Sequence, residues 1–122
     1  MNADRFFENL KREFFETMHE HITQCEIELI NFEQNHQEIH LENYKKKLHS
    51  IKGNASAMDE KNIKRATHLI ETVCKKPQSK YFFDKNFKYI DFIKAVINSQ
   101  LSDEQKEAYY SEFLRQLTRS DS

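Results

Sequence analysis

The chain has 122 residues, enough for one domain around one shared core. It holds one Gly and one Pro, which argues against sheets, because hairpins want turn formers at fixed positions. Charged residues make up 32% of the chain, with ten Phe and no Trp, a mixture that suits amphipathic helices and sets the expected fold class as all-α.

The net charge is −1, but its distribution is uneven. Residues 1–40 are acidic overall, with Arg5, Lys11 and Arg12 as their only Lys or Arg, whereas residues 41–80 are basic. Without a strongly basic total or aromatic–basic interleaving, an acidic protein surface fits that middle third better than nucleic acid does. No stretch reaches the roughly 20 apolar residues of a membrane span. Met1–Arg5 lacks a basic leader region followed by an apolar run. A soluble, cytoplasmic protein is expected, and Met1 favours a free-standing chain. Cys25 and Cys74 fit no metal or redox spacing and read as small core residues in a reducing compartment.

Taken in order, residues 5–34 read as a long helix, with Phe7, Leu10, Phe14, Met18, Ile22, Cys25, Leu29 and Phe32 in steps of three and four. Asn35-His36-Gln37 is the first break. A second helix over 39–57 places Leu41, Tyr44, Leu48, Ile51, Ala55 and Met58 on one face, the cleanest pattern in the chain. Asp59 follows as the expected N-cap of a third helix over 60–75, which buries Ile63, Ala66, Ile70 and Val73 and ends before Pro77. The fourth, over 80–99, has a broad apolar face including Phe82, Phe83, Phe87, Tyr89, Ile90, Ile93, Val96 and Ile97. That width leaves room for a dimer. Ser102 and Gln105 form a capping-box signature for a fifth helix carrying Tyr109, Tyr110, Phe113, Leu114 and Leu117. Short connections make the expected architecture an up-and-down antiparallel four-helix bundle with an additional helix, one domain over residues 1–122.

The single glycine, Gly53, lies inside the best-patterned helix, where it costs about 1 kcal/mol relative to Ala. Close approach of another molecule would account for it. One turn earlier on the same face is His49. At about 100° per residue, His49 falls roughly 130° from the centre of the apolar stripe and points to water. Lys45, Lys46, Lys52, Gly53 and Ser56 share that outward sector. An exposed imidazole among ammonium groups, beside bare backbone, suits phosphate handling. Imidazole is partly neutral and nucleophilic near pH 7, and a phosphoryl group on it adds charge that a lysine one turn away can offset.

The segment His49-Ser50-Ile51-Lys52-Gly53-Asn54-Ala55-Ser56-Ala57-Met58, continued by Ile63, Ala66, Ile70 and Glu71, resembles the signature of histidine-containing phosphotransfer (HPt) domains. In that family a His-x-x-Lys-Gly core precedes small residues, spaced apolar positions and a Glu. The match is best over residues 45–71. The order of helices is similar to the N-terminal phosphotransfer domain of chemotaxis kinases. One departure is Asp59, where the family usually has Gly. The resemblance implies that His49 exchanges a phosphoryl group with the aspartate of a response-regulator receiver domain, within a phosphorelay that begins at a sensor or hybrid histidine kinase. It also implies that Lys52 stabilises charge and that Gly53 admits the receiver, with Lys45, Lys46 and Ser56 on the docking face. No cofactor is expected on this chain, Mg2+ belonging to the receiver.

A chain with one Gly has no Gly-rich nucleotide loop, so the expectation is a phosphocarrier rather than a kinase. The alternative is a helical regulatory protein that binds a histidine kinase or receiver without being phosphorylated; His49, Lys52 and Gly53 argue against it, because docking needs no nucleophile. A metal-binding bundle would need paired Glu-x-x-His motifs, and only Glu33-Gln34-Asn35-His36 offers one. His36 and His40 have metal-compatible spacing but lack a third ligand, so no metal site is expected. His19 and His21 point to different faces, and His68 lies outside the signature's functional positions.

Overall fold

A computed structural model describes residues 3–119. Among these are five helices: α1 (Ala3–Asn35), α2 (Glu38–Ala57), α3 (Lys61–Val73), α4 (Phe82–Asn98) and α5 (Asp103–Arg119). The first four form the antiparallel bundle, each packing on the next and α4 returning to α1, while α5 lies against α3 and α4. All five contribute to one apolar core. None of them is long and apolar enough to cross a membrane.

Each break has a local cause. At the end of α1, His36 adopts φ 55° and its N–H donates to the Phe32 carbonyl at 2.8 Å, an αL cap reinforced by the Phe32–His36 ring contact. α2 ends in a Schellman motif. Glu60 N–H reaches the Ala55 carbonyl at 2.8 Å and Asp59 N–H reaches Ser56 at 3.2 Å, with Asp59 at φ 56°. Asp59 therefore closes α2 and does not cap α3, whose N-cap is Glu60 without a side-chain cap bond. The expected N-cap fails because the αL turn takes the residue first. Pro77 sits in the α3–α4 turn. The capping box of α5 is complete: Ser102 N–H donates to Gln105 Oε1 at 2.8 Å and Gln105 N–H to Ser102 Oγ at 3.2 Å.

The core follows the apolar spacing, with three corrections, one of them Tyr109 of α5, which is exposed. Phe7 is 64% exposed and Leu10 is also exposed, although both continue the periodic run. α1 carries no buried residue before Phe14, so its first turns lie outside the core. The broad face of α4 is used within the chain, since α4 contacts α1, α3 and α5 together. Phe92 of α4 stacks on Phe113 of α5 at 5.3 Å, which accounts for apolar surface that seemed in excess of a simple bundle.

Two polar groups lie in this core. Asn86 accepts from Tyr44 Oη at 2.6 Å and donates to the Phe82 carbonyl at 2.8 Å. Thr67 donates to the Ile63 carbonyl and accepts from Tyr89 Oη at 2.8 Å. Pairing offsets the cost of burying them. Cys25 and Cys74 are buried free thiols, and burial pushes both up to about 12, so neither is a reactive group at neutral pH.

Candidate functional site

α2 exposes its outer face because Leu41, Tyr44, Leu48, Ile51 and Ala55 occupy the inner one. His49 consequently stands with 79% of its side chain exposed. Its Nδ1 lies 3.9 Å from Glu71 Oε2 on α3. That gap is longer than a hydrogen bond, so Glu71 acts on the ring as a nearby negative charge. The charge favours a proton on Nδ1 and leaves the Nε2 lone pair available.

Lys52, expected in the outward sector beside His49, is instead half-buried against α3. It is 27% exposed and its Nζ donates to Glu71 Oε1 at 2.6 Å. The α2–α3 packing thus makes a three-member array in which one carboxylate addresses an ammonium with one oxygen and an imidazole with the other. Glu71 is itself only 26% exposed, which holds its position more firmly than a surface side chain's. The sequence marks Glu71 only as the last residue of the signature; its place on another helix conceals its role beside His49.

A Cβ built on Gly53 meets nothing within 4 Å. No internal neighbour requires the missing side chain, so packing does not explain this glycine. Lys45, Lys46 and Ser56 are exposed along the same helix, and the Lys46 carbonyl accepts from Ser50 Oγ at 3.2 Å. Lys47, by contrast, is half-buried and acts on α1, where it helps burial to lower the pKa of His21. The lysine run is therefore split between two faces.

A family model described as the Hpt domain matches residues 9–104. The chain belongs to the Hpt domain family. No curated protein and no solved structure matched it. Hpt domains are phosphotransfer modules of two-component signalling, without a kinase fold, and in general they interact with receiver domains and histidine kinases. The match takes in the whole of α2 and α3 and leaves nearly all of α5 outside it.

The other histidines of this Hpt domain have different settings. His40 Nδ1 pairs with Glu28 Oε2 at 2.8 Å, beside Asn43, which donates to Glu28 Oε1. His36 serves the αL cap. His68 is exposed on α3, one turn before Glu71. Among the described residues no group of three or more His, Cys, Asp or Glu side chains is arranged to hold a metal.

Proposed function

We propose that this Hpt domain is a phosphorelay intermediate that carries a phosphoryl group on Nε2 of His49, to or from the aspartate of a response-regulator receiver. The observation that carries the reading is the exposed His49 ring set against the Lys52–Glu71 pair, one turn from open space at Gly53.

In the step toward the chain, the Nε2 lone pair attacks the phosphorus of the receiver's acyl phosphate. The N–P bond forms, the O–P bond breaks, and the receiver carboxylate departs with the electron pair. The proton stays on Nδ1. The ring becomes cationic, and Glu71 stabilises it from 3.9 Å. In the reverse step a receiver carboxylate oxygen attacks phosphorus and the pair returns to Nε2. Lys52, held at the edge of the site by Glu71, offsets charge on the moving phosphoryl oxygens; positioning plus charge neutralisation is most of what phosphoryl transfer requires. Gly53, with Ser56 beyond it, leaves α2 clear for the receiver loops, and the receiver brings its own Mg2+. Nothing in this scheme calls on ATP, so a separate sensor or hybrid kinase supplies the phosphate.

The test is incubation with a panel of phosphorylated receivers. The wild-type chain should acquire acid-labile phosphate, and His49→Gln should not, with helicity and melting unchanged because an exposed side chain supports little packing. Binding without labelling of the wild type would instead favour a docking-only regulator.

A further inference from the structure

α1 runs on past the core at its N-terminal end. α2 and α4 pack on this helix, yet no α1 side chain before Phe14 is buried. The stretch from Ala3 to Phe14, about 16 Å at 1.5 Å per residue, is not composed like a solvated helix end. Among the described residues seven large apolar side chains are exposed, and three of them, Phe6, Phe7 and Leu10, fall in this stretch. The other four are spread over three helices. The Phe6 and Phe7 rings meet edge to face at 5.9 Å, so the end of α1 carries one apolar patch rather than scattered side chains.

The patch is patterned. Ala3, Phe7, Leu10 and Phe14 follow one another in steps of 4, 3 and 4, the seam of a two-stranded coiled coil. Asp4 and Lys11, both exposed, lie along one edge of that seam, and Phe6 and Glu13 along the other. These edges decide the orientation of a second helix. In a parallel pair opposite edges meet, which sets Lys11 against Phe6 and makes no ion pair. In an antiparallel pair like edges meet. With Phe7 layered on Leu10 of the second copy and Ala3 on its Phe14, Asp4 comes opposite Lys11, twice by the two-fold symmetry. Over the same stretch Arg5, Lys11 and Arg12 are balanced by Asp4, Glu8 and Glu13, so there is no excess of cations to draw it to anionic lipid.

We propose that the N-terminal end of α1 is a self-association surface, which pairs antiparallel with the same segment of a second copy of this chain. At about 200 Å² for a whole Phe, the exposed parts of Phe6 and Phe7, 51% and 64%, supply roughly 230 Å² per chain. Leu10, Ala3 and the charged edges add to that area. The pair stays below the about 1,200 Å² of standard interfaces, which sets a weak, reversible dimer with a Kd of roughly 10–100 μM. The seam is on α1, whereas His49, Lys52 and Glu71 lie on α2 and α3. Pairing therefore does not use that array, and the inference stands apart from the phosphorelay reading.

The experiment is analytical ultracentrifugation of the whole chain across a concentration series that brackets that Kd. The mean mass should rise from 14.7 kDa toward twice that value. Phe7→Glu with Leu10→Glu should hold it at the monomer value, with helicity and melting kept because both side chains are exposed and outside the core; Phe7→Ala with Leu10→Ala gives a milder second variant. Asp4→Lys alone, or Lys11→Glu alone, sets like charges together at two symmetric places and should weaken the dimer about fivefold, the effect of two exposed ion pairs. The two changes combined should restore it. A chain that stays monomeric throughout the series overturns the inference, as does a dimer that survives both Phe7–Leu10 variants. Failure of the combined charge swap to restore what the single changes lose overturns the antiparallel pairing. Co-sedimentation with vesicles of anionic phospholipid, lost in Phe7→Glu with Leu10→Glu and without self-association of the wild type, would assign the patch to a membrane surface and overturn the inference equally.

Discussion

Glu71→Gln isolates the carboxylate that addresses both Lys52 and His49. The substitution keeps an oxygen that accepts from Lys52, so the lysine stays in place while the charge beside Nδ1 disappears. At 3.9 Å, a full charge pair is worth about 1 kcal/mol in water and about 4 kcal/mol at an effective dielectric of 20. His49 is 79% exposed, which sets the value near the lower figure, in the range of exposed ion pairs. A loss of about 1 kcal/mol corresponds to roughly a fivefold change in equilibrium. The ratio of phospho-His49 to phospho-receiver at equilibrium should therefore fall about fivefold in Glu71→Gln, while stability changes by less than about 1 kcal/mol. Rapid-quench transfer gives the ratio, and 15N NMR of the imidazole should show the Nδ1-protonated tautomer losing population. An unchanged ratio together with an unchanged tautomer would refute the role given to Glu71.

Gly53→Ala should raise stability by about 0.5–1 kcal/mol, because the added methyl meets open space and the unfolded chain loses freedom. Gly53→Gln should keep the fold yet cut transfer sharply; a fully active Gln variant would remove the reason for a cleared surface. Asp59→Gly should stabilise by about 0.5–1 kcal/mol by relieving the left-handed backbone at φ 56°; a lower melting temperature would show that the Asp59 side chain contributes more than its strain costs. For His21, burial first and Lys47 second lower the pKa below its ordinary 6.5. The unfolded chain then binds that proton more readily, so stability is complete above pH 6.5 and declines as pH falls below it. Melting between pH 7.5 and about 5.5 should drop more for wild type than for His21→Gln, and equal slopes would contradict the assignment.

Local rules explain why so much of this fold is readable in the chain. The α2 face from Leu41 to Ala55 is buried as its spacing requires, and the Ser102–Gln105 box forms both its bonds. Periodicity alone does not say where a partner helix begins, so Phe7 and Leu10 look like core and are exposed. Nor does it reveal polar positions that the core satisfies internally, such as Asn86, buried between Tyr44 and Phe82. At Asp59 two end signals compete, and the Schellman closure of α2 prevails over the capping of α3. In the candidate site, the exposure of His49 and the gap at Gly53 follow from helix geometry on one element. The Lys52–Glu71 pair does not, because it depends on how α2 and α3 pack.

The most direct measurement is site mapping of the phosphorylated chain, by mass fragmentation under neutral conditions combined with 31P–15N NMR, after transfer from a phospho-receiver. One acid-labile phosphate on Nε2 of His49 is the expected result. Phosphate on His68 or another side chain would contradict the account, as would phosphate on Nδ1 of His49, the nitrogen that faces Glu71.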